Sequence, residues 1–153
     1  MKDVTSNPRV RARLLALVRP RDLTVRGERG LTEPFRARFE GRRPRIEQTA
    51  EAVTVTFPRL ARRTDSAITL DASIPWRIEA TGPVRGLTAD LGVVTLAGFE
   101  VTSGGATEVT LILPTPTGHV PVRIAGGVAA VTIHRPAGVP VGVRVRGGAS
   151  RVR

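Results

Sequence analysis

The amino-acid sequence predicts an all-β, single-domain fold wound as a β-solenoid of about five to six rungs, and three observations carry that expectation. Glycine pairs recur every 21 to 22 residues through the C-terminal half. Between them apolar residues alternate with Thr, Asp or Arg, the period of a strand buried on one face. Aromatic residues make up only 3 % of the chain, so the core is to be filled by Val, Leu, Ile and Ala, which suit thin layers between strands. At 153 residues the chain can bury a substantial core as one domain.

The repeat is clearest when Gly82, Gly104, Gly126 and Gly147 are set as column zero. Column two then holds Val84, Ala106, Val128 and Ala149, and column five holds Leu87, Val109, Val131 and Val152. Column six is Thr88, Thr110 and Thr132, column seven is Ala89, Leu111 and Ile133, and Pro114 and Pro136 share column ten. Each unit reads as a strand, a glycine corner, a second strand and a proline-marked bend. The glycines supply positive-φ corners that a Cβ would obstruct. A single unit cannot bury its own apolar face, so units are expected to stack about 4.8 Å apart, with column five as an inner wall and column six as an outer Thr ladder. A sandwich of hairpins is the alternative, but it gives no reason for constant spacing.

Upstream, Val53-Thr54-Val55-Thr56-Phe57-Pro58 matches Val131-Thr132-Ile133-His134-Arg135-Pro136 in type, which puts Ile46 on Ile124 and an anchor at Gln48. Leu23, Val25 and Gly27 give a further anchor at position 27. The wide gap between anchors 48 and 82 implies an insertion of about 12 residues near Arg59–Thr69. Two segments stand outside the repeat. In residues 1–22, Val10, Leu14, Leu17 and Val18 share one helical face and Asn7-Pro8 resembles a helix start, so a short capping helix ahead of the solenoid at 23–153 is expected. In Glu33–Gly41, Phe35, Ala37 and Phe39 fit a strand, and Phe35 and Phe39 equally fit a helical turn.

The formal charge is +11, and it is uneven. Residues 1–63 hold 16 of the 24 basic and 7 of the 13 acidic residues. Such a field can attract nucleic acid, an anionic membrane or an acidic partner. The candidate residues are Arg36, Arg38, Arg42, Arg43 and Arg45, joined by Arg59, Arg62 and Arg63, which could neutralise phosphates. Only Phe35 and Phe39 stand among them, so stacking on bases has little platform. Lys2 is the single lysine, a bias that GC-rich coding also produces, so plain solubility competes with a functional patch.

From Trp76 to Arg153 the chain resembles the bacterial toastrack, or putative-adhesin, family of β-solenoid domains. The residues that carry the resemblance are Trp76-Arg77-Ile78, Thr88-Ala89-Asp90-Leu91, Leu111-Ile112-Leu113-Pro114, and Gly126-Gly127 followed by Val131-Thr132-Ile133. The resemblance implies the fold and a non-catalytic part in assembly or sensing, with links to envelope or stress functions. It supplies no catalytic residues. Unlike membrane-linked members, this sequence shows no transmembrane helix.

Residues suited to chemistry are scattered. There is no Cys, so disulfides, thiolate metal sites and a Cys nucleophile are excluded. His119 and His134 fall in different columns, and no metal site is expected from them. Asp90 and His134 share a column but are two rungs apart. Ser6, Ser66, Ser73, Ser103 and Ser150 lie outside any Gly-x-Ser-x-Gly elbow, and neither phosphate-binding glycine motif occurs. Asp71, Glu79, Asp90, Glu100 and Glu108 form no evident acid–base pair. The expectation is therefore a protein that is not an enzyme and has no cofactor, metal or small-molecule substrate. The apolar run Leu14–Val18 is too short for a signal-peptide core or membrane span, which suggests a cytoplasmic protein.

The last unit runs from Val143 and stops at column six, in mid-rung. Val143, Val145, Ala149 and Val152 are the candidate self-association edge, through which copies would pair as a homodimer or filament. Arg144, Arg146, Arg151 and Arg153 could instead keep that end soluble. The second functional expectation is binding of anionic surfaces through the basic N-terminal region.

Overall fold

The computed structural model describes residues 12–59, 65–102, 106–116, 118–138 and 144–146. Thirteen strands form there: β1 (Arg13–Val18), β2 (Arg21–Glu28), β3 (Phe35–Phe39), β4 (Arg45–Gln48), β5 (Ala52–Thr56), β6 (Ser66–Asp71), β7 (Pro75–Thr81), β8 (Arg85–Asp90), β9 (Thr95–Thr102), β10 (Ala106–Ile112), β11 (Val122–Ala125), β12 (Val128–His134) and β13 (Arg144–Arg146). They make two sheets of mostly parallel strands. The first has the order β13-β11-β9-β7-β1-β5-β4, and the second β12-β10-β8-β2-β6-β3.

From β7 onward, consecutive strands alternate between the sheets, and each pairs with the strand two places along the chain. The predicted columns are the observed register. Leu87, Val109 and Val131 lie side by side and are buried, as are Ala89 and Leu111 in the next inward row. Thr88, Thr110 and Thr132 form the outward row, which Thr24 extends through its pairing with Thr88. Of the corner glycines, Gly82 and Gly126 have φ of +75° and +96°, as the repeat requires. Gly104, Gly105, Gly147 and Gly148 lie outside the described residues.

The N-terminal half departs from expectation in three ways. No capping helix forms from residue 12 to residue 22: Arg13–Val18 is a strand inside the seven-stranded sheet, between β5 and β7. Five consecutive apolar residues, Leu14–Val18, satisfy a helical and a strand period equally. Leu15 and Leu17 are buried while Leu14, Ala16 and Val18 are only partly covered, which is the strand solution. Asn7, Pro8 and Val10 are outside the described residues.

Anchors 27 and 48 fall as well. Leu23 pairs with Leu87, which places Leu23 and Val25 after a corner rather than before one. Val53 pairs with Leu15, itself opposite Ile78, which places Val53 and Val55 before a corner. Alternation alone does not say which half of a repeat a strand occupies, and here no glycine marks it. Gly27 serves a different purpose: a Cβ there would run into Val94 Cγ2 of the β8–β9 turn.

The expected 12-residue insertion is also absent. Thr56 is opposite Val18 and Ser66 opposite Leu23, so nine residues bridge β5 and β6 where four bridge β1 and β2. Ser66–Thr69, assigned to the insertion, belongs to β6, and residues 60–64 are outside the described set.

The spatial order is thus permuted. The first coil, β1 and β2, is sandwiched between β5/β6 on one side and β7/β8 on the other. The chain returns by stepping from β6 to β7 across this coil, with the Ala72 amide donating to Glu28 O at 2.9 Å and Trp76 Nε1 to Asp71 O at 3.1 Å. Trp76 is 0 % exposed and anchors the far side of that step. The inward rows of both sheets make one apolar core from Leu15 and Leu23 to Ile124 and Val131.

Candidate functional site

The two ends of the paired sheets differ in construction. At one end, β3 and β4 run antiparallel to β6 and β5, unlike the parallel strands elsewhere. Phe35, Ala37 and Phe39 turn inward and pack on the core, with Phe39 edge-on to Phe57 at a centroid separation of 6.0 Å. The alternation Phe-x-Ala-x-Phe resolves the helix-or-strand ambiguity in favour of a strand. Ile46, opposite buried Val55, is 40 % exposed.

The described candidate arginines gather round this end, but not on one plane. Arg36 and Arg38 lie on the outer face of β3, paired with Thr69 and Ala67. Arg42 and Arg43 are in the exposed loop from β3 to β4, and Arg45 begins β4 in the other sheet. Arg36 is also occupied by Glu33, Nε to Oε1 at 3.2 Å. A flat phosphate-bearing surface could meet only part of this belt at once. Arg62 and Arg63 are outside the described residues.

At the opposite end, β13 and β12 are the outermost described strands of their sheets. β13 continues the parallel ladder, with Val145 opposite Ile124. Val145 is therefore the one member of the predicted edge that the structure places, and it is placed on an outer strand. Val143, Ala149 and Val152 lie outside the described residues.

Catalytic constellations do not assemble among the described residues. Asp90 and His134 both align with Ile112, on strands either side of β10, and are exposed. Asp71 Oδ1 accepts from the Ser73 amide and hydroxyl at 3.0 and 2.9 Å, a turn closed on itself. Within the described residues no group of three His, Asp or Glu could hold a metal. No helix there is long and apolar enough to cross a membrane.

Fold and ends together define an all-β, two-sheet domain of mostly parallel strands with unlike termini to its sheets. A solved structure shares this arrangement: a protein described as a putative cell adhesion protein from Clostridium sporogenes superposes with a TM-score of 0.68 at 17 % identity, over 93 % of this chain and 91 % of that one. At this identity the likeness is one of fold. Neither a family model nor a curated protein matches the sequence.

Proposed function

We propose that this chain is a non-catalytic β-solenoid interaction module that self-associates through the end formed by β12 and β13, as a closed dimer. The difference between the two ends is the observation that carries the reading. An outer strand in register with the interior ladder is a template for further strand pairing. The β3/β4 end is unlike it, with reversed strand direction, a covering of Phe35 and Phe39, and a belt of arginines. Head-to-tail addition would set unlike surfaces against each other, whereas pairing like with like across a two-fold axis closes the assembly at two copies. The adhesion role named for the Clostridium protein, and the interaction role that the toastrack resemblance implies, agree with a binding function in place of a catalytic one. The fold itself leaves the partner open.

Size-exclusion chromatography with light scattering on the whole chain tests the proposal. A dimer that persists on dilution supports it. A strict monomer at high concentration removes it, and a mass that grows without limit favours the filament.

A further inference from the structure

A second region draws attention on chemical grounds. On the side of the molecule where strands pass from the first sheet to the second, the corners of three neighbouring coils enclose an open cleft of about 570 Å³. Its walls are Arg19, Arg21, Arg59 and Arg85 with Pro20, Pro58, Gly82 and Pro83, four guanidinium groups and no carboxylate. Asp22 stands beside it, 3.9 Å from Arg21 Nε, and offsets part of that charge. The cleft is rigid because the corners are tied to one another. The Phe57 amide donates to Val18 O at 3.0 Å, Arg19 N to Thr81 O at 2.8 Å, and Arg85 N to Pro20 O at 3.0 Å.

Two features of the corner go beyond what folding needs. Arg19 occupies the left-handed region at φ +57°, alongside Gly82 of the next coil at +75°. Glycine would serve there without strain, yet an arginine is held in place, and a costly backbone at a cleft is a marker of function. Arg19 also leaves a donor unused: its Nη2 donates to Phe57 O at 3.1 Å, but its Nε is enclosed with no protein acceptor. An enclosed guanidinium N–H calls for an oxygen.

We infer that this corner cleft binds tetrahedral oxyanion groups, phosphate or sulfate esters, with Arg19, Arg21, Arg59 and Arg85 as donors. Planar guanidinium forks match the edges of a tetrahedral oxyanion. The site is separate from the Arg36–Arg45 belt at the end of the sheets and from the β12/β13 end, so it stands whether or not the chain dimerises.

Pyrophosphate is the probe, titrated at low salt by calorimetry and by amide NMR on the whole chain. Amide shifts centred on Arg19–Asp22 and Gly82–Gly86 are expected, with affinity falling by at least about tenfold in the double variant Arg21→Gln, Arg59→Gln. The double variant Arg42→Gln, Arg43→Gln should bind like the parent. Vesicles of phosphatidylcholine with phosphatidic acid distinguish the source of the group: binding of pyrophosphate alone assigns a soluble ligand, and binding of both with the same loss in the first variant assigns a lipid headgroup. Absence of binding to either probe, or equal loss in both double variants, overturns the proposal, the latter by reducing the effect to a general positive field.

Discussion

The coils from β7 to β12 and the strands from β1 to β6 solve the same problem by different routes. In the later region, chain order and spatial order coincide, and each strand rests on one about 22 residues away. In the earlier region β1 and β2 are built into the middle, with partners 38 to 64 residues distant, and β3 and β4 turn back to cover the exposed side. The core nevertheless runs through both without interruption. A stacked ladder therefore demands matching inward rows and compatible corners, and it tolerates a permuted connection provided the bridging turn is held.

The largest expected effect tests whether that turn unites the two regions. Trp76 is fully buried where β7 begins, and its indole fixes the crossing through Asp71 O. Trp76→Ala should cost about 3–5 kcal/mol, from lost burial and a residual cavity. In urea unfolding followed by circular dichroism and by amide hydrogen exchange, both regions should lose protection in one transition. Persistent protection in β8, β10 and β12 after the first coil has opened would split the molecule into two units.

The same contrast explains what the sequence made legible. Between Gly82 and Pro136, glycine marks the corner, so alternation has an origin and the register of Leu87, Val109 and Val131 can be read directly. Before residue 60 the corners are Arg19-Pro20 and Phe57-Pro58, and an arginine at positive φ has no sequence signature. Strand character was visible there, but the half of the coil was not. The permuted order is carried by long-range pairing, as when Leu23 meets both Leu87 and Ser66, and no local pattern encodes it. For the basic residues, chain proximity singled out Arg36 to Arg45, whereas the cleft joins Arg19 and Arg21 to Arg59 and Arg85 by stacking coils distant in sequence. Pro20, Pro58 and Pro83 beside those arginines were the available cue.

Glycines sharpen the comparison, because those of the two regions do different work. Gly27→Ala should destabilise by about 1–3 kcal/mol, since its Cβ would overlap Val94 and Val93 and the β8–β9 turn would have to move. Gly127→Ala has nothing within 4 Å of its Cβ and no left-handed backbone, so it should be neutral or stabilise by up to about 1 kcal/mol. Thermal unfolding of the pair is a direct measure. Equal losses would mean that the second glycine of a repeat pair is as constrained as the glycine under a neighbouring turn.

The smallest effect is expected at Arg19, where the two regions meet at one corner. Arg19→Gly removes a left-handed side chain, a gain of about 1 kcal/mol, and also removes the bond to Phe57 O, a loss of similar size. The net change should lie within about 1 kcal/mol of zero. Gly82→Ala in the parent should cost about 1–2 kcal/mol, because φ is +75° and the new Cβ would stand 3.0 Å from Arg19 Cγ. In an Arg19→Gly background that second contact is gone and only the backbone term is left. A double-mutant cycle in urea should therefore show Gly82→Ala to be less damaging in the glycine background than in the parent. Strict additivity would show that the two corners do not sense each other, and would detach the permuted coil from the regular ones at the point where their backbones are hydrogen-bonded.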